Sequence, residues 1–330
     1  MVGPAHSVPK PHYSNIGISM VKNEEDIIEA FVRNNLRFLD FLLVIENNAT
    51  DSTPLILEKL KEEGLPIEVV KEPALAFQQS EKITEWYHNL SERMDFTLVF
   101  FLDADELLEG DPAALNRSRA EPGLPVKLSE IRYIPERMAG AGKDVLKNLR
   151  YALPDLVEGP LNKFMLFHDP KRYRDYMIED GNHNVQYKNE VLPAGRFPPV
   201  RIAHMPLRGR DQIYSKYVIG TLGLLMRSLY DDITGHHWHR KFKEFMEKDF
   251  SFSDDELYRL LWGKSREELL ATCAYRPLPE QELRYLDLVG CESLLKKVLK
   301  TSLNTVHEYW DQKIEVIRLT KRLEEKGINK

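Results

Sequence analysis

Apolar residues in the first hundred positions fall into short runs, separated by stretches where they recur at helical spacing. Four runs are strand-length and too short for helices: Asn15-Ile16-Gly17-Ile18-Ser19-Met20-Val21, Phe41-Leu42-Leu43-Val44-Ile45, Ile67-Glu68-Val69-Val70 and Thr97-Leu98-Val99-Phe100-Phe101-Leu102. The second, and the fourth after its threonine, are apolar at every position, the pattern of strands covered on both faces. Between the first two runs, Ile27, Ile28, Phe31, Val32, Leu36 and Leu39 predict a helix, with Asn23 as its cap and Glu24, Glu25 and Asp26 in its first turn. Pro54 opens a second helix carrying Leu55, Ile56, Leu57 and Leu60, and Gly64 closes it. Residues 78–93 form a third. Strands alternating with helices predict an α/β fold: a mostly parallel sheet flanked by helices.

The pattern then loosens. Proline and glycine punctuate residues 108–150, with one strand at 131–134, and another strand is expected at 161–167. Lys163 and Arg172 read as surface charges. Glu179 and Asp180 precede Gly181, at a turn suited to positive φ, and His183 follows. A strand through Ile202 delivers His204 just before Pro206. From residue 213 the chain reads as helical: an amphipathic segment at 241–249, a helix start at Ser253-Asp254-Asp255-Glu256, and charged helices over 283–303 and 306–326. The run His236-His237-Trp238-His239 reads as a surface turn. The expected division is a catalytic domain at 1–225 and a helical extension at 226–330.

Composition narrows the class. Of 330 residues, 42 % are hydrophobic and 30 % charged, as in ordinary globular proteins. A net charge of −6 gives no reason to expect nucleic acid as a partner. Cys273 and Cys291 are too few for a disulfide framework and lack metal-site spacing, which fits a reducing cytoplasm. No apolar run nears the ~20 residues of a membrane span, and residues 1–14 have no signal-peptide core. The expected location is cytoplasmic. The C-terminal helices are candidates for packing on the catalytic domain, for a homodimer contact, or for peripheral contact with the inner membrane face.

The fourth apolar run ends in Asp103-Ala104-Asp105-Glu106. The carboxyl edge of a parallel sheet is where open α/β folds bind ligands. In extended backbone Asp103 and Asp105 would point the same way, and the repulsion of two such charges is commonly offset by a cation. Carboxylate oxygens suit Mg²⁺ or Mn²⁺. A solvated acidic turn that starts a helix is the plainer alternative. Lys22-Asn23-Glu24 and Glu46-Asn47-Asn48 follow the first two strands, so all three loops gather on one edge, and this favours the metal. No glycine-rich phosphate loop follows the first strand; side chains and a metal would have to hold any nucleotide.

Three segments in order, Ile18-Ser19-Met20-Val21-Lys22-Asn23-Glu24, Val44-Ile45-Glu46-Asn47-Asn48-Ala49-Thr50-Asp51-Ser52-Thr53 and Phe101-Leu102-Asp103-Ala104-Asp105-Glu106, resemble a family 2-type glycosyltransferase of the Rossmann-like GT-A fold. Glu46-Asn47 stands where that family has paired acids, and Asp103-Ala104-Asp105 matches its D-x-D motif. His204-Met205-Pro206-Leu207-Arg208 through Gln212 is similar to its H-x-P-x-R-S-x-x-Q segment, with Gly209 in place of the serine. The resemblance implies transfer of a sugar from a nucleoside diphosphate donor, a UDP-sugar by preference, to a glycan or lipid-linked hydroxyl acceptor, with inversion and with Mn²⁺ or Mg²⁺. It implies Asp103, Asp105 and His204 as metal ligands, Asp103 also serving the donor ribose. It places Val21, Asn23, Glu24, Glu46, Asn47 and Asn48 around the donor, along with Lys82, His183 and Arg208. Glu106 contacts acceptor or faces solvent. Asp180, then Glu179, are the candidates for the base that takes the acceptor proton. Rival readings are a nucleotidyltransferase of related fold and a non-catalytic sugar- or protein-binding module. An Asp-x-Asp phosphohydrolase would carry its motif on the first strand.

Overall fold

The computed structural model describes residues 10–74, 78–117, 120–138, 143–154, 163–228, 236–290 and 293–325. Residues 161 and 162 of the expected strand, and Cys291, lie outside them. The first half of the chain runs β1 (His12–Val21), α1 (Ile28–Asn35), β2 (Phe41–Glu46), α2 (Thr53–Glu62), β3 (Ile67–Lys71), α3 (Gln79–Arg93), β4 (Asp95–Leu102), β5 (Glu106–Gly110), α4 (Pro112–Arg117) and β6 (Pro125–Ile134). Then come β7 (Tyr151–Ala152), β8 (Phe164–Phe167), β9 (Tyr176–Ile178), β10 (Val185–Tyr187), β11 (Glu190–Val191) and β12 (Gly195–His204). The remainder is α5 (Arg210–Ser228), α6 (His236–Glu247), α7 (Asp254–Trp262), α8 (Arg266–Leu270), β13 (Ala274–Tyr275) and α9 (Leu294–Glu325).

The main sheet has the order β13-β7-β6-β8-β4-β1-β2-β3, with β12 beside β6 and β5 beside β12. Its ladders set β1, β2, β3, β4, β6, β12 and β13 in one direction and β5, β7 and β8 in the other. The α/β class is therefore as expected. Consequently β1, β2, β4 and β12 all deliver their carboxyl ends to one edge.

The two-sided burial predicted for β2 and β4 has a direct structural counterpart. Leu42, Val44, Leu98, Phe100 and Leu102 pack with Phe31, Leu57 and Leu60 of α1 and α2. Their chain neighbours Leu43, Ile45, Val99 and Phe101 pack on the other face with Ile83, Tyr87 and Leu90 of α3. Alternating side chains thus supply two cores from one run of sequence.

Several local expectations give way. Asn23 does not cap α1, whose first turn has no side-chain cap; it adopts φ 56° instead. β6 runs for ten residues rather than four, and β5 is a strand without a forecast. His236 to His239 open α6 rather than forming a turn. α9 is continuous across residues 303–306. Ser253 does start α7 as predicted, through a reciprocal capping box with Glu256.

The chain divides into two compact units. One contains the sheet and comprises Met1–Glu72, Gln78–Arg210 and Phe252–Cys291. The other comprises Pro73–Phe77, Asp211–Ser251 and Glu292–Lys330. The helical region is thus not one body, since α7, α8 and β13 belong with the sheet. Inside the second unit, Tyr214 and Tyr217 pack edge-on against buried Phe245, and the Tyr214 hydroxyl donates to Phe250 O at 2.9 Å. No helix among the described residues is long and apolar enough to cross a membrane.

His168 gives the fold a pH dependence. It lies beside Phe96, ring centroids 4.1 Å apart, and its Nδ1 is 3.1 Å from the Tyr87 hydroxyl. Burial pushes its pKa down to about 4. Folded His168 then resists protonation while the unfolded chain begins to protonate near pH 6.5. Its contribution is full above pH 6.5 and is lost as pH falls toward 4. Urea titrations should show His168→Phe with a shallower fall in stability than wild type over that interval, by on the order of 2 kcal/mol. Parallel curves would exclude His168 as the source.

Candidate active site

β4 ends at Leu102 and the chain turns at once. Glu106 N–H donates to Asp103 O at 3.1 Å, and Glu106 Oε2 accepts Asp103 N–H at 2.9 Å. Strand periodicity therefore stops before Asp103, and the two aspartates meet different neighbours. Asp103 Oδ2 accepts from Lys163 Nζ at 2.6 Å, and its Oδ1 accepts from Gln79 Nε2 at 2.8 Å and Asn182 Nδ2 at 3.1 Å. Asp105 Oδ1 lies 3.6 Å from His204 Nε2, and Oδ2 lies 3.9 Å from Arg208 Nη1.

Glu106 opens β5 and pairs directly across from His204 at the end of β12. It is fully buried, so it does not face solvent. Burial pushes its carboxyl up to about 8 against the pull of Lys163. Its Oε1 has no hydrogen-bond partner, although Lys163 Nζ stands 3.5 Å away.

His204 Nδ1 is 2.9 Å from Glu130 Oε1. Burial alone would lower the imidazole pKa, but Asp105 and the Glu130 hydrogen bond outweigh it and raise it. Burial of Glu130 is likewise outweighed by His204 and Arg132, which hold its carboxyl down to about 2. Ligand atoms from Asp105, Glu106 and His204 all lie within 4.8 Å of one another. Two carboxylates and an imidazole suit Mn²⁺ or Mg²⁺, and the unpartnered Glu106 Oε1 is the kind of buried atom a cation satisfies. Glu130 on the remote ring nitrogen fits the outer carboxylate that orients metal-binding histidines. Asp103, expected among the ligands, is outside this group because Lys163, Gln79 and Asn182 engage both its oxygens.

The donor-side candidates of the first two loops do converge. Asn47 N–H donates to Val21 O at 2.9 Å, and Asn23 Oδ1 accepts Thr50 N–H at 2.6 Å. Glu24 N–H reaches Thr53 Oγ1 at 2.8 Å, and Glu46 Oε1 accepts Ala49 N–H at 2.5 Å. Asn48 takes φ 49°, which turns the chain back. The Nδ2 of Asn23 is buried without a partner. Lys82 instead bridges Glu72 at 2.9 Å and Glu85 at 3.1 Å.

Arg208, expected toward a diphosphate, is enclosed. Its Nε and Nη2 each lie 2.8 Å from an Asp26 oxygen, Nη2 is 2.5 Å from Glu24, and Nη1 donates to Met205 O at 3.1 Å. Glu179 accepts from Asn184 Nδ2 at 2.8 Å and Gln186 Nε2 at 2.7 Å. Asp180 is exposed, in a short 3₁₀ turn rather than on a strand, and its Oδ1 accepts Ser80 N–H at 3.0 Å at the start of α3. Gly181 has φ 73°, and a Cβ there would fall 2.7 Å from the His183 ring, so the position requires glycine. Burial pushes His183 down to about 4.

Glu130, Lys163, Gln79, Asn182 and Asp26 complete the site without a motif to announce them. Lys163, expected at the surface, is 3 % exposed. The lysine before an apolar strand and the alternation in β6 were the only local hints.

No family model matches the chain, and no curated protein matches it. Among solved structures, a mannosyltransferase from Pyrobaculum calidifontis in complex with GDP-Man and Mn²⁺ is 13 % identical over 90 % of each chain, with a TM-score of 0.38. Glucosyl-3-phosphoglycerate synthase from Mycobacterium tuberculosis, in complex with Mn²⁺, UDP and glucosyl-3-phosphoglycerate, is 18 % identical over 36 % of this chain and 44 % of its own, with a TM-score of 0.27. This chain thus spans less than half of that synthase. The inositol-1-phosphate CTP transferase from T. maritima is 11 % identical over 67 % of this chain and 98 % of its own, at 0.31. Likenesses this loose do not assign a reaction, so the chemistry must come from the site.

Proposed function

We propose that this protein is a metal-dependent glycosyltransferase of GT-A type, taking a sugar from a nucleoside diphosphate donor to a hydroxyl acceptor. The observation that carries the reading is the convergence of Asp105, Glu106 and His204 at the sheet edge where β1 and β2 also end. Asp105, Glu106 and His204 would hold Mn²⁺ or Mg²⁺, with Glu130 on Nδ1 of His204 orienting the ring for that role. A cation held there would supply positive charge against a departing diphosphate. The loops of Asn23 and Glu46-Asn47-Asn48 receive the nucleoside.

Transfer with inversion needs one base and no enzyme nucleophile. Asp180 suits that role better than Glu179, because it is exposed at its turn while both Glu179 oxygens are held by amides. Glycans and lipid-linked sugars are the acceptor classes that accord with this reading.

Calorimetry with UDP and GDP, with Mn²⁺ and after chelation, tests the proposal, together with a screen of UDP- and GDP-sugars for metal-dependent hydrolysis. One nucleotide should bind at least about tenfold more tightly with Mn²⁺, and its sugar should be hydrolysed slowly without acceptor. Equal binding after chelation, or no turnover of any donor, would defeat it.

A further inference from the structure

Three carboxylates crowd the acidic turn, and their partners divide them unequally. Lys163 is the divider. Its Nζ lies 2.6 Å from Asp103 Oδ2, 2.5 Å from Gly181 O and 3.5 Å from Glu106 Oε1. An ammonium this deeply buried persists only where such oxygens surround it. Gln79 spans the same two segments with no charge: its Nε2 donates to Asp103 Oδ1 at 2.8 Å and its Oε1 accepts Gly181 N–H at 2.9 Å. Asn182 Nδ2 adds a third donor to Asp103 at 3.1 Å. Asp103 is thereby neutralised and fastened to the 180–182 turn, while Asp105 and Glu106 are left beside His204.

We infer that Lys163 is a positioning residue that selects the ligand set of the acidic turn, withdrawing Asp103 from the metal and fixing Asp105, Glu106 and His204 around it. The inference rests on the metal-dependent reading above. Charge and position predict opposite results here, which makes the test sharp. If Lys163 were only a nearby positive charge, removing it would tighten the binding of a cation. If it positions the turn, removing it frees Asp103 and lets the 180–182 turn detach, and cation binding weakens.

The experiment is titration with Mn²⁺ alone, followed by the EPR signal of the free ion, with thermal unfolding recorded for each protein. Lys163→Met should bind Mn²⁺ about 10- to 100-fold more weakly than wild type, the range typical of losing an outer partner of a metal site. Gln79→Ala breaks the same bridge without altering charge and should weaken Mn²⁺ binding about tenfold. Lys163→Met that binds Mn²⁺ as tightly as wild type, or more tightly, overturns the inference. If Lys163→Met does not fold, Gln79→Ala decides it, and unchanged Mn²⁺ affinity there is the overturning result. Wild-type protein that binds no Mn²⁺ sinks the metal reading itself, and this inference with it.

Discussion

Asp105→Ala should abolish sugar transfer and Mn²⁺ binding while leaving the protein folded. Asp105 is the carboxylate nearest the His204 ring nitrogen that Glu130 leaves pointing inward. On the proposed reading, alanine there leaves Glu106 and His204 and removes one of the three protein ligands that would hold the cation. Losing transition-state charge stabilisation of this kind should cost about a thousandfold in kcat. Stability should hold because this turn is tied to the fold through its backbone. The backbone bond from Met205 N–H to Asp105 O, at 2.8 Å, does not depend on the side chain. The check is donor hydrolysis and Mn²⁺ titration on a variant with a wild-type melting curve. Near-normal turnover would remove the acidic turn from the chemistry.

Arg208→Met should instead destabilise the fold, by about 3–5 kcal/mol, as expected when one member of a buried ion cluster is removed. The guanidinium is the largest fully buried side chain among the described residues, and it ties Met205 O, Asp26 and Glu24 together. Methionine fills part of the volume and leaves the two carboxylates without that charge. Urea denaturation at neutral pH measures the loss. Wild-type stability combined with weaker donor binding would show that Arg208 serves the diphosphate rather than the scaffold. The contrast with Asp105→Ala follows from geometry: Arg208 makes short bonds to Glu24 and Asp26 of another segment, whereas the Asp105 carboxylate stands 3.6 Å from His204 Nε2.

The sheet's central strands and their helices were determined by the sequence alone. A run that is apolar at every position can only be covered on both faces, and Leu42 to Ile45 and Leu98 to Leu102 divide between two cores accordingly. The gathering of the loops after β1, β2 and β4 also follows from the sequence, because a strand–helix–strand alternation sends those strands the same way. The tertiary structure alone decided what each charged side chain does. Asp103 and Asp105 look equivalent in the chain, but the strand ends at Leu102, and one faces Lys163 while the other faces His204. Glu130 meets His204 across 74 residues, and Lys163 meets Asp103 across 60. β5 exists because β12 pairs with it, a partner too distant for any local pattern to reveal. Burial of apolar side chains is written locally, in periodicity; the partner of a buried charge is set by whichever segment arrives beside it.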